Sequence, residues 1–171
     1  MIYLRFNNMS PRQYIYLLLI CFGASSCIKA PEYPIEPVLT MEGISSDTMR
    51  QGNLNNDSII VFISLTDGDG DIGSDNGGFD VVVTDLRDNF VAYQYRLPKV
   101  DPTGANNGIS GDLLLTVYTT CCVYTNGQPP CTVSNEFPMD EIQYNIHILD
   151  QAGNQSNTVT TPKITLICNG K

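Results

Sequence analysis

The residues best suited to chemistry lie in one short stretch, Asp67-Gly68-Asp69-Gly70-Asp71-Ile72-Gly73-Ser74-Asp75. Four carboxylates fall within nine residues, interleaved with glycines whose backbone freedom lets the chain wrap a small sphere. Hard oxygen ligands at this density suit Ca²⁺, whereas Mg²⁺ usually avoids all-protein cages. Asp67, Asp69 and Asp71 match the odd positions of an EF-hand loop, but Ile72 stands where that loop needs Gly and Gly78 where it needs Glu. The stretch is therefore not an EF-hand. The competing reading is an acidic turn, since Asp-Gly is ordinary turn chemistry, but mutual repulsion among the four charges argues for a counter-ion. If the strands before Asp67 and before Asp150 are the second and sixth of a sandwich, the loops that follow them open at the same end. The expected ligand set is then Asp67, Asp69, Asp71, Asp75 and Asp150 around a structural Ca²⁺.

Cysteine is the second reactive class. Leaving aside Cys27, discussed below, and Cys21, which precedes it, Cys121, Cys122, Cys131 and Cys168 allow three pairings, and a bridge between the adjacent Cys121 and Cys122 is strained. Two pairings remain. Extending the period of Leu113, Leu115 and Val117 to residue 121 turns Cys121 inward, in step with Cys168 after Ile164 and Leu166. This predicts Cys121–Cys168 and Cys122–Cys131, with the exchanged pairing as the alternative. His147, the single histidine, shares its parity with Gln143 and Asn145 and belongs on a wet face. No catalytic residue is expected: there is no Gly-rich phosphate loop, no HExxH and no zinc-type Cys-His spacing.

The elements that position these residues are β-strands. Seven runs, Val38 to Gly43, Ser58 to Thr66, Phe79 to Asp85, Asn89 to Leu97, Leu113 to Tyr118, Glu141 to Leu149 and Asn157 to Ile167, are rich in β-branched and aromatic residues and separated by Gly, Asn and Asp. The clearest alternation sets Ile142, Tyr144, Ile146 and Ile148 against Gln143, Asn145 and His147. An all-β antiparallel β-sandwich of about seven strands follows, and the resemblance described below implies that it is immunoglobulin-like.

Residues 1–26 differ in kind: Arg5 and Arg12 precede an apolar run from Tyr14 to Phe22 and small residues 23–26, the pattern of a signal peptide. The run is too short to span a bilayer as a helix. Ala24-Ser25-Ser26-Cys27 resembles a bacterial lipobox, which implies that Cys27 is lipidated and leads the mature chain. Residues 27–37, with Pro31, Pro34 and Pro37, then form a stiff tether to a domain at 38–171. The Asp150-Gln151-Ala152-Gly153-Asn154 turn resembles the last hairpin of bacterial immunoglobulin-like domains. Together with the Asp-Gly loop and Cys27, it makes the chain similar to a family of lipoproteins of Bacteroidetes-type bacteria. The resemblance implies an outer-membrane location, facing the periplasm or the cell surface, and a sandwich, but no activity.

Composition bounds the partners. The chain has 171 residues and a formal net charge of -9. Loss of residues 1–26 removes two arginines and no acid, leaving seven basic residues against 18 acidic ones, a charge of -11. Such a surface disfavours nucleic acid, which needs a basic stripe to release its counter-ions. The expected role is a binding or interaction module with a glycan or protein partner, attached to the membrane through its lipid. A carboxylate-dependent hydrolase and a subunit of an envelope complex are the alternatives.

Overall fold

The computed structural model describes residues 32–75, 77–100 and 108–170. Cys27 and residues 1–26 lie outside them. The described residues hold ten strands and no helix. They are β1 (Val38–Ile44), β2 (Thr48–Arg50), β3 (Ser58–Asp67), β4 (Val81–Asp85), β5 (Val91–Tyr95), β6 (Ile109–Tyr118), β7 (Met139–Ile142), β8 (Tyr144–Ile148), β9 (Val159–Thr160) and β10 (Ile164–Ile167). The strand order is β1-β3-β6 in one sheet, β2-β10-β7 in a second and β5-β4-β8-β9 in a third. All pairs are antiparallel except β2 with β10. The expected all-β sandwich is what the chain forms.

Ten strands rather than seven result from two breaks and one short addition. The run from Glu141 to Leu149 splits at Gln143. Leu86 N–H donates to the Gln143 carbonyl at 3.0 Å, and the Gln143 side-chain amide donates to the Thr161 carbonyl at 3.0 Å. β7 therefore pairs with β10 while β8 passes into the sheet of β4. The run from Asn157 to Ile167 breaks at Thr161-Pro162-Lys163, where proline has no N–H for a ladder. β2, three residues long, carries too little pattern to be read locally and exists because it pairs with β10.

Inward residues of the sheets form one core. Val61, Ile63, Val83, Ile146, Ile148 and Leu166 are each at most 1% exposed, and each such side chain contributes roughly 1.5–3 kcal/mol by leaving water. β3 alternates strictly, its even-numbered side chains outward and its odd-numbered ones inward. The last inward position is not apolar: it is Asp67, fully buried.

The segment before β1 lies on the acidic loop. The carbonyls of Tyr33 and Pro34 approach Gly68 so closely that a Cβ there would lie 2.5 Å from each. Only glycine permits this contact.

Candidate metal centre

Asp67, Asp69, Asp71 and Asp150 come together, each offering a carboxylate oxygen within 4.8 Å of the others. The grouping follows from two strands that end at one end of the sandwich. β3 delivers Asp67, and the chain turns through Gly70, whose φ of 73° belongs to the left-handed region that glycine favours. This turn brings Asp71 back, and the Asp71 N–H donates to Asp67 Oδ2 at 3.1 Å. β8 ends at Ile148 and delivers Asp150. The two loops are then joined by backbone: Gln151 N–H donates to the Asp71 carbonyl at 3.0 Å, and Ala152 N–H to Asp71 Oδ2 at 3.1 Å. Asp150 is fixed within its own turn, accepting the Asn154 N–H on Oδ1 at 2.7 Å and the Asn154 side-chain amide on Oδ2 at 2.8 Å.

The electrostatics are those of a site short of positive charge. Burial pushes the Asp67 carboxyl up to about 6 from an ordinary 3.8, and the Asp69 charge adds to the shift. Burial also raises Asp71, followed by the charges of Asp150 and Asp69. Two buried carboxylate oxygens, Asp67 Oδ1 and Asp71 Oδ1, have no hydrogen-bond partner. A buried oxygen normally finds a donor, because leaving one unmet costs about 1–3 kcal/mol. This group of four could hold a metal ion: the oxygens are close and two are unsatisfied.

Asp75 does not join them. It is exposed and lies outside the group that could hold an ion, Asp67, Asp69, Asp71 and Asp150. The reason is a change of direction at Gly73, whose φ is 72° and whose Cα faces the Pro98 carbonyl; a Cβ there would meet that oxygen at 2.2 Å. The chain leaves the acidic cluster at that point. Ser74 then reaches Asp80 instead, donating to its Oδ1 at 3.3 Å.

The disulfides are corrected. Cys121 is bonded to Cys131 and Cys122 to Cys168, the exchanged pairing. Extending the inward parity of β6 to residue 121 fails because β6 ends at Tyr118 and the chain then runs irregularly. Cys122 is the buried one, at 0% exposure, as is Cys168. Its N–H donates to Gln51 Oε1 at 3.2 Å, and the Gln51 amide donates to the carbonyls of Thr132 and Cys168 at 2.9 and 2.7 Å. His147 lies on β8 opposite Val82, half-buried.

One cluster had no local signal. Arg87, just after β4, pairs with Asp85 Oδ2 and Asp140 Oδ2, both at 2.8 Å, and donates to the Cys121 carbonyl at 3.1 Å. Burial alone would lower the Arg87 pKa, but the two carboxylates overcome it and hold the guanidinium above its ordinary value. No spacing rule links residues 85, 87, 121 and 140.

No protein family, curated protein or solved structure matches this chain.

Proposed function

We propose that the chain is a lipid-anchored outer-membrane protein of the cell envelope whose sandwich serves as a binding module. In this reading a structural Ca²⁺ staples the loop after β3 to the loop after β8. The observation that carries the metal assignment is the pair of buried, partnerless oxygens, Asp67 Oδ1 and Asp71 Oδ1, in a group of four carboxylates. A cation satisfies both oxygens and offsets the repulsion. Ca²⁺ fits better than Mg²⁺ because it takes six to eight oxygens in irregular geometry, and two loops of carboxylates and carbonyls supply them without a regular octahedron. The role is structural, since the ligands are fixed by backbone hydrogen bonds between the loops.

The envelope assignment is supported by the signal-peptide pattern ending in Cys27 and by two disulfides, which persist in oxidising compartments. No helix of the described residues is long and apolar enough to cross a membrane. In this reading attachment is through a lipid on Cys27. Similarity to the Bacteroidetes-type lipoproteins is part of the same proposal.

Thermal unfolding in EDTA, in Ca²⁺ and in Mg²⁺ tests the metal. Ca²⁺ at 100 times its Kd should add about 2.7 kcal/mol by mass action, while chelation lowers Tm. Identical curves in all three would leave only an acidic turn. Cys27→Ser should move the protein from the membrane to the soluble fraction, and retention in the membrane would remove the anchor from the proposal.

A further inference from the structure

The β1-β3-β6 sheet has β6 at one edge, and that edge is closed along only part of its length. Tyr93 and Tyr95 of β5 donate hydroxyl hydrogen bonds to the carbonyls of Tyr118 and Thr116, at 2.7 and 2.6 Å. These two carbonyls point away from β3. By the two-residue repeat of an antiparallel ladder, the backbone groups of Ser110, Asp112 and Leu114 point the same way. Among the described residues nothing hydrogen-bonds them, and all three residues are exposed.

Alongside this open stretch runs a cleft of about 330 Å³. Its apolar lining includes Leu65, Ile72, Leu97, Val100, Ile109 and Leu113. The wall opposite β6 is held in place, since Val100 N–H donates to the Ile72 carbonyl at 3.0 Å and Leu97 N–H to Asp80 Oδ2 at 2.8 Å. Gly111 sits between Ile109 and Leu113 on the cleft side, and a Cβ added there would meet nothing within 4 Å. A glycine inside a strand with open space above it marks a place where another backbone can approach.

We infer that the edge of β6 from Ser110 to Leu114 takes an extended peptide of a partner protein as an added strand. The peptide is apolar on its cleft side and basic opposite Asp112. Its backbone pairs with the outward groups of Ser110, Asp112 and Leu114, and its alternate side chains fill the cleft above Gly111. Charge selects this occupant. A second copy of the chain pairing its own β6 about the centre of this stretch would set Asp112 opposite Asp112, and like charges directly opposite destabilise a strand pair. A Lys or Arg at that position is favoured instead, and the acidic surface steers a basic segment toward it. The inference rests on the binding-module reading and narrows it to one edge; it is independent of the calcium assignment.

The test uses two synthetic peptides that alternate Val or Ile with Thr and carry either Lys or Glu at the centre. Each is titrated against the detergent-solubilised full chain, with backbone amide shifts recorded. The Lys peptide should bind more tightly than the Glu peptide by about fivefold, the size of one cross-strand charge pair, with shifts at Ser110, Asp112 and Leu114. Asp112→Lys should reverse the preference. Gly111→Leu, which fills open space without touching the β3 ladder, should abolish binding of both. Tight binding that ignores both substitutions, with shifts elsewhere, overturns the edge while leaving a binding module. Failure of both peptides to bind at about 1 mM, a Kd of about 1 mM being only −4.1 kcal/mol, overturns the edge and counts against the module. A concentration-dependent dimer lost in Gly111→Leu overturns the peptide in favour of a second copy.

Discussion

Asp71 and Ala152 stand 81 residues apart in sequence, yet the Ala152 N–H donates to Asp71 Oδ2 at 3.1 Å. The contact uses only one of the two Asp71 oxygens and leaves Oδ1 buried without a partner. A loop–loop contact built from neutral groups would be complete at this point. This one keeps an unsatisfied charge at its centre, and the metal proposal follows from that residue of unmet bonding.

The ligand set predicts a sharp contrast between neighbouring acids. Asp67→Asn and Asp71→Asn should each weaken Ca²⁺ binding by about tenfold or more, since affinity tracks the count of charged ligands. Asp75→Asn should leave it within about a factor of two. Isothermal titration with Ca²⁺ checks this, and equal losses at Asp75 and Asp71 would place the ion elsewhere in the loop.

Without metal, the pH dependence runs opposite to that of a salt-bridged aspartate. The Asp67 pKa stands at about 6 in the folded chain against 3.8 for an ordinary aspartate. Between these values the folded state holds a proton that the unfolded chain has released, so stability in EDTA falls as pH rises through that window. Asp71, also raised, adds to the same slope. Saturating Ca²⁺ binds the ionised form and should remove the loss. Urea midpoints at about pH 4.5 and 7, parent minus Asp67→Asn, isolate the effect. A difference that grows in favour of the parent with pH in EDTA would contradict it.

The two disulfides should differ in weight. Cys122–Cys168 closes a separation of 46 residues and Cys121–Cys131 one of 10. Loop-closure entropy then assigns about 4 kcal/mol to the first and about 2.7 kcal/mol to the second. Replacing Cys122 and Cys168 together by Ala should lower Tm more than replacing Cys121 and Cys131, by an additional margin because the first pair is buried. Differential scanning calorimetry reads the difference, and peptide mapping that separates residues 121 and 122 checks the pairing itself.

The ion pairs divide by environment. Arg87→Leu leaves Asp85 and Asp140 facing one another in a largely buried site, and should cost about 2–3 kcal/mol. Lys163→Ala removes an exposed pair with Glu141 and should cost less than about 0.5 kcal/mol. Denaturant unfolding of both variants tests the ranking, and a neutral Arg87→Leu would show that the cluster is dispensable.

Much of the architecture was written locally. The period-two alternation of Ile142, Tyr144, Ile146 and Ile148 specifies a half-buried strand wherever it is placed, and the parity of β3 turns Asp67 inward along with Ile59, Val61, Ile63 and Leu65. The density of Asp and Gly at 67–71 likewise states a carboxylate-lined turn, because spacing within one loop is a local property. What the sequence could not decide were relations between segments. The strand parity that set Cys121 inward lapses once the chain leaves the ladder at Tyr118, so the cystine partners depend on where the loop after β6 is pinned by Gln51. Asp75 carries the same charge as its neighbours, but the backbone turns away at Gly73 against Pro98, a segment 25 residues further on. Arg87, just after β4, meets Asp140 of β7 only in the folded chain, and among the described residues the tyrosines of β5 reach the outer edge of β6 at Tyr118 and Thr116 and no further. Each depends on long-range register, which no local pattern encodes.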